Sequence, residues 1–109
     1  MTDKFILDGH TPVPAPSLLA WGRWFETARD QRIVAKTDIG SVRVSTVFLG
    51  LDHNWGEGPP LLFETLVFEG PWDGEMDRCS TWAEAEAMHA KMVALVQTPK
   101  PTQADGEVK

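Results

Sequence analysis

Residues 41–69 decide the fold of this chain, because they hold two alternating apolar segments joined by a long connection. Residues 41–51 read Ser-Val-Arg-Val-Ser-Thr-Val-Phe-Leu-Gly-Leu, and residues 61–69 read Leu-Leu-Phe-Glu-Thr-Leu-Val-Phe-Glu. Both are rich in β-branched and aromatic residues at a period of two, which predicts strands. Consecutive strands most simply pair antiparallel, so we predict a β-hairpin. Both of its faces are fairly apolar, so either another element covers the second face or an apolar patch stays exposed.

The segments on either side of the hairpin supply weaker strand signals. Residues 32–37 predict a further strand, and residues 5–7 predict a short edge strand. Residues 11–16 read Thr-Pro-Val-Pro-Ala-Pro, which predicts an extended connector that takes no part in regular sheet pairing. Residues 69–79 contain Gly-Pro and Asp-Gly pairs and therefore predict a loop.

Two helices are predicted from capping residues and apolar spacing. Ser17 is the expected N-cap of a helix over residues 17–29, in which Gly22 is expected to mark close packing against the sheet. Thr81 and Glu84 form a capping box for a second helix that ends before Pro99. The expected buried stripes are Leu18, Trp21, Phe25 and Ala28 in the first helix and Trp82, Ala85, Met88 or His89, Met92, Leu95 and Val96 in the second. The fold class is therefore α+β, an antiparallel three- to four-stranded meander sheet packed with two helices in the order β-α-β-β-β-α.

Length and composition predict one small domain. The chain has 109 residues, which is the usual size of a single domain, and we expect residues 1–97 to form it and residues 98–109 to be a disordered tail. Cys79 is the only cysteine, so no intramolecular disulfide can form, which is typical of a reducing compartment. We expect a cytoplasmic protein, because no apolar run is long enough to cross a bilayer and no signal-peptide pattern is present. We also expect no cofactor, because the sequence contains no metal-binding motif or nucleotide-binding loop.

The acidic residues are concentrated in one part of the sequence. The chain has a net charge of −6, and residues 50–90 hold nine acidic residues against one basic residue, Arg78. Such a block disfavours direct nucleic-acid binding, which needs clustered lysine and arginine. It is either a solubilising surface or a face that meets a basic protein partner.

The connection over residues 50–60, Gly-Leu-Asp-His-Asn-Trp-Gly-Glu-Gly-Pro-Pro, is the most distinctive stretch. It is much longer than a hairpin requires, and it carries a tryptophan, a residue type that is enriched at interaction hot spots. A second tryptophan lies in the acidic loop that follows. The expected partner-binding residues are Asp52, His53, Trp55, Glu57, Trp72, Asp73, Glu75 and Asp77.

An enzyme or metal-binding module is the alternative interpretation. It would use Asp52, His53 and His89, and Glu86 stands three residues before His89 on the predicted second helix. Such a spacing also arises by chance, so His89 is more simply a half-buried helix residue. Cys79 precedes a helix N-terminus, but no base is placed beside it in the sequence, so we assign no catalytic residue.

Four segments together resemble a group of small phage and prophage proteins of unassigned function. They are Trp-Gly-Arg-Trp-Phe-Glu-Thr-Ala from residue 21, Val-Ser-Thr-Val-Phe-Leu-Gly-Leu-Asp-His from residue 44, Gly-Pro-Pro-Leu-Leu-Phe-Glu-Thr-Leu-Val-Phe from residue 58, and Ser-Thr-Trp-Ala-Glu-Ala-Glu-Ala from residue 80. The resemblance covers most of residues 5–96. It implies no activity, but it implies a bacterial host and a role in binding a host protein.

The sequence therefore favours a protein-interaction function. The leading hypothesis is a phage-type accessory protein that binds a basic host protein through its acidic, tryptophan-containing surface and inhibits a host defence or transcription complex. A self-associating structural protein, with strand faces left open for a homodimer, is a further alternative.

Overall fold

The computed structural model describes residues 2–101 and shows an α+β fold. The elements are β1 (Phe5–Asp8), β2 (Thr11–Pro14), α1 (Leu18–Thr27), a 3₁₀ turn (Asp30–Arg32), β3 (Ile33–Ile39), β4 (Val42–Phe48), β5 (Phe63–Phe68), β6 (Met76–Cys79) and α2 (Trp82–Val96). Antiparallel pairing gives a four-stranded sheet in the order β3-β4-β5-β6 and a separate two-stranded ribbon, β1-β2. The predicted α+β class is confirmed.

The predicted hairpin is β4 and β5, and its alternation is the one that the sequence indicates. Val44 pairs with Val67, and Phe48 pairs with Phe63. These four side chains are at most 1% exposed, and they form the core with residues of both helices and of β1. We call this side of the sheet the helix face, because Trp24 of α1 contacts Phe48 on it and α2 contacts all four strands.

The prediction for residues 11–16 was wrong, because Thr11–Pro14 forms a strand that pairs with β1. Pro12 lies opposite Leu7, and Pro14 lies opposite Phe5. Hydrogen-bonding direction alternates along a strand, so two prolines spaced two apart lose their N–H groups on the same edge. The opposite edge of this strand keeps its backbone N–H donors and can therefore pair with β1.

The prediction of a loop over residues 69–79 was wrong in its second half, where Met76–Cys79 forms β6. The turn itself lies at residues 69–75, with positive φ angles at Glu69, Gly70 and Gly74. The strand reads Met-Asp-Arg-Cys, which contains neither β-branched nor aromatic residues. Its strand conformation is therefore set by pairing with β5, with Asp77 opposite Thr65 and Arg78 opposite Glu64.

Both predicted helices are present, and the capping box at Thr81 and Glu84 is confirmed. The expected stripe of α1 is wrong at its first position, because Leu18 is 66% exposed while the Trp24 ring packs into the core. A methyl group added at Gly22 would meet no neighbouring atom within 4 Å, so the expected close packing there is also wrong. No helix within residues 2–101 is long and apolar enough to cross a membrane.

The second face of the sheet, which we call the open face, keeps an exposed apolar patch. Directly paired residues share a face, so Leu66 and Met76 lie together there, with Phe68 at the end of β5. Phe68 and Met76 are each 44% exposed. Of the two alternatives that the sequence left open for this face, the exposed patch is the one observed in the part of the chain that the structure describes.

Candidate interaction surface

The connection over residues 50–60 starts from an anchored point. The Gly50 carbonyl accepts hydrogen bonds from the Phe5 amide at 2.8 Å and from the Trp21 indole nitrogen at 3.1 Å. The next residues continue this pairing, because the Asp52 amide donates to the Asp3 carbonyl at 2.9 Å. The N-terminal segment and α1 therefore hold the first part of the connection in place.

The middle of the connection is held by its own polar side chains. Asp52 Oδ1 accepts hydrogen bonds from the amides of Asn54 at 2.7 Å and Leu61 at 3.0 Å, which ties the two ends of the loop together. The Asn54 side chain donates to the carbonyls of Glu57 and Pro59 and accepts from the Gly56 amide. Turns of this kind are stabilised by aspartate and asparagine because their short side chains reach nearby backbone groups.

Trp55 lies between these fixed residues, and its side chain points away from the protein. It is 92% exposed, the highest value among the large apolar side chains of residues 2–101. The adjacent His53 is half-buried, and its Nδ1 lies 2.9 Å from the Leu51 carbonyl. Of the four expected binding residues in this loop, Trp55 and Glu57 are exposed, whereas Asp52 and His53 bond to the loop backbone.

The other four expected binding residues lie elsewhere. Trp72, Asp73 and Glu75 belong to the turn between β5 and β6, and Asp77 lies on β6. The turn follows the end of β5 at Phe68, whereas the connection over residues 50–60, which we call the Trp55 loop, precedes the start of β5 at Phe63. Five residue steps of a strand separate these ends by about 17 Å. The acidic stretch of sequence is therefore divided between two ends of the sheet.

Trp72 differs from Trp55 in its environment. It is half-buried against the core cluster of Val44, Val67 and Met92, and its indole nitrogen donates to the Thr98 carbonyl at 3.0 Å. The Lys100 ammonium lies 5.2 Å from its ring centroid. Trp72 thus contacts Thr98 and Lys100, which follow α2 and belong to the predicted disordered tail over residues 98–109. Residues 102–109 of that tail lie outside the described residues.

The residues of the predicted metal or catalytic site do not come together. His89 lies on the buried side of α2 and is 7% exposed. Its Nδ1 is 2.7 Å from the Thr46 hydroxyl, and its Nε2 is 2.8 Å from the Thr37 hydroxyl. It is therefore buried rather than half-buried, and burial lowers its pKa. Asp52 and His53 make the loop contacts described above. Within residues 2–101, no three His, Cys, Asp or Glu side chains are close enough together to hold a metal ion.

Cys79 lies at the end of β6 with its sulfur 3.7 Å from the Thr81 carbonyl. Burial, together with the negative charge of Glu84, raises the pKa of this thiol to about 11. A thiol with so high a pKa is protonated at neutral pH and is a poor nucleophile.

Two leucines of α1 also belong to the exposed surface. Leu18 and Leu19 are 66% and 63% exposed in the first turn of α1. Leu18 lines a surface hollow with Asp3, whose carbonyl binds the Asp52 amide, so α1 begins at the end of the molecule that carries the Trp55 loop. We call Leu18, Leu19, Trp55 and Glu57 the docking end. Only the contacts of α1 show that its leucines are not core residues.

Comparisons of the chain with models of known protein families, with curated protein sequences and with solved structures gave no match. The resemblance to small phage proteins therefore stays a prediction, and the geometry of the chain itself carries the functional argument.

Proposed function

We propose that this chain is a protein-interaction module that binds a partner protein through Trp55 at its docking end. The observation that supports this is an indole that is 92% exposed on a loop fixed by Asp52 and Asn54. A fixed loop loses little conformational freedom on binding, so more of the contact energy contributes to affinity. Tryptophan also offers a large contact area with few rotatable bonds, which is why it is common at hot spots.

The expected contribution of Trp55 is large enough to measure. A tryptophan side chain buries roughly 150–250 Å². At about 25 cal/mol per Å², burying the smaller of these areas contributes about 4 kcal/mol before the costs of association. Truncation of hot-spot tryptophans commonly costs about 2 kcal/mol or more, which corresponds to a loss in affinity of about thirtyfold.

The charges around the loop favour a partner with a basic rim. Lys4, in the N-terminal segment that pairs with the start of the loop, already forms an ion pair with Asp3, with 3.2 Å between Nζ and Oδ1. The exposed carboxylate of Glu57 and the half-buried Asp52 leave this end acidic. Attraction between opposite charges accelerates association and weakens as salt screens it. Binding should therefore weaken as the salt concentration rises.

The test is a comparison of two single variants. The wild-type chain, Trp55→Ala and the matched control Phe68→Ala would be used to capture proteins from a lysate of the source cells, and affinity for a captured protein would be measured by calorimetry at low and high salt. We expect Trp55→Ala to keep the unfolding temperature and to lose about thirtyfold in affinity, while Phe68→Ala retains binding. A partner that binds Trp55→Ala as tightly as the wild type would refute the proposal.

A phage-encoded inhibitor of a host defence or transcription complex is one specific form of this function. It is supported by the resemblance in sequence and by the acidic charge, and it is tested by the identity of the captured protein. Capture of a subunit of such a complex, with loss of that complex's activity on addition of the chain, is the expected result.

Self-association is a second candidate, because the open face carries Leu66, Phe68 and Met76 together. Packing two such faces would bury apolar surface that is now in water. Sedimentation at increasing concentration would test it. A dimer in the wild type that dissociates in Phe68→Asp would support it, and a monomer at all concentrations would exclude it.

A further inference from the structure

Within residues 2–101, β6 is the last strand of the sheet, and it has one paired edge and one free edge. The Val67 amide donates to the Glu75 carbonyl at 3.0 Å, which directs the backbone of Glu75, Asp77 and Cys79 toward β5. Because hydrogen-bonding direction alternates, the N–H and C=O groups of Met76 and Arg78 point to the free edge. A row of such groups is a template for one more strand.

A groove runs between this edge and α2. It has a volume of about 540 Å³, and its α2 wall includes Met88, Met92 and Leu95. Methionine side chains are flexible and adapt to different apolar partners. A strand added to β6 would place every second side chain on the helix face, where this groove lies. The edge thus offers main-chain hydrogen bonds together with an apolar site for alternate side chains, as in known strand-addition complexes.

The charges of the groove indicate which strand it fits. Glu75 and Asp77 line it against a single lysine, Lys91. The Arg78 side chain is neutralised by Glu64 at 3.0 Å on the open face. Asp77 also accepts a hydrogen bond from the Arg78 amide at 2.9 Å, so its carboxylate caps one donor of the free edge. A basic side chain opposite Asp77 would pair with this carboxylate and free the Arg78 amide for the added strand.

We propose that β6 is a strand-addition site for an extended segment of a partner protein that carries a lysine or arginine between two apolar residues on the same face. The basic residue lies opposite Asp77, and the apolar residues enter the groove beside Met88 and Leu95. This site lies on the edge of the sheet and does not depend on the docking end that contains Trp55.

The probe is a synthetic peptide, acetyl-Thr-Leu-Thr-Lys-Thr-Leu-Thr-amide, which we call the lysine peptide. The control is the glutamate peptide, which has glutamate in place of lysine. Binding would be followed by nuclear magnetic resonance on the full chain. We expect the lysine peptide to bind and to slow hydrogen exchange at the amides of Met76 and Arg78, which face the free edge. The absence of binding at millimolar peptide, or binding that leaves these two amides unprotected, would overturn the proposal.

Charge reversal tests the assigned role of Asp77. Opposite charges on facing residues stabilise a strand pair and like charges destabilise it, so the wild type should prefer the lysine peptide by about twofold to thirtyfold. In Asp77→Lys this preference should invert in favour of the glutamate peptide. Equal affinity of the two peptides for the wild type, or an unchanged preference in Asp77→Lys, would refute the pairing.

A proline at Met76 tests the hydrogen bonds of the edge. Met76 is the first residue of β6 and its N–H faces away from β5, so Met76→Pro should preserve the sheet and block the added strand. Met76→Ala is the matched control, which keeps the amide. We expect Met76→Pro to abolish peptide binding and Met76→Ala to keep it; equal binding by both would overturn the proposal. If Met76→Pro does not fold, the charge reversal decides the question alone.

Discussion

Among the glycines of residues 2–101, Gly50 is the position where an added methyl group should be most disruptive. It adopts a φ of +76°, and its carbonyl accepts two hydrogen bonds that start the Trp55 loop. A Cβ atom at this position would overlap the ring of Phe25. That ring cannot move away freely, because Trp21, Trp24 and the Arg32 guanidinium all pack on it, with centroid distances of 4.8, 5.4 and 4.4 Å.

The magnitude follows from two separate costs. A left-handed backbone costs a residue other than glycine about 1 kcal/mol. Forcing an extra methyl group into a packed site costs about 2 kcal/mol more. We therefore expect Gly50→Ala to lower the free energy of unfolding by about 3 kcal/mol. Gly40→Ala is the matched control, because Gly40 also has a positive φ, +61°, but has no atom within 4 Å of the new methyl group. Its expected loss is about 1 kcal/mol.

Urea denaturation of the wild type and both variants, followed by circular dichroism, gives the two losses from the transition midpoints. The slope of the transition should be unchanged, so that the midpoints report stability alone. If Gly50→Ala and Gly40→Ala lose the same free energy, then the Phe25 contact does not constrain the start of the loop and the reasoning fails.

Three further predictions test the helix, the buried histidine and the loop. Gly22→Ala should raise the free energy of unfolding by up to about 1 kcal/mol, and with it the unfolding temperature, because alanine favours the helix interior and no atom lies within 4 Å of the new methyl group. A lower unfolding temperature would contradict this. Burial lowers the pKa of His89, so the unfolded chain takes up its proton first as the pH falls. The free energy of unfolding should therefore be retained above about pH 6.5 and fall below it by at most about 1.4 kcal/mol per pH unit. Urea denaturation of the wild type and of His89→Gln at several pH values should show that the two differ in this pH dependence. Asn54→Ala should accelerate hydrogen exchange at Gly56 without unfolding the sheet, because the amide then loses its acceptor at 3.0 Å; unchanged exchange would show that the side chain does not order the loop.

Several parts of the structure could be predicted because their causes are local. The strands β4 and β5 follow from alternation over residues 41–51 and 61–69, and α2 follows from the capping pair of Thr81 and Glu84. Each signal lies within a few residues of the element it specifies. The length and composition of the connection over residues 50–60 are local in the same sense, but they did not show whether Trp55 is exposed.

The parts that were missed depend on distant partners. The strand at Met76–Cys79 has no strand composition and exists because β5 supplies its hydrogen bonds. The ribbon strand Thr11–Pro14 exists because β1 pairs with the one edge that its prolines leave intact. Leu18 lies in a helical apolar pattern, yet it is exposed because the packing of α1 begins at Trp21 and Trp24.

The candidate site shows the same division. The sequence determined that residues 50–77 are acidic and carry two tryptophans, since composition needs no folding. Tertiary structure decided that Trp55 is exposed while Trp72 packs on the core, and that the two lie at opposite ends of β5. It also gave Asp52 two backbone donors and enclosed His89 between two threonine hydroxyls. Burial and hydrogen-bond partners are properties of neighbours in space, and those neighbours come from segments far apart in the sequence.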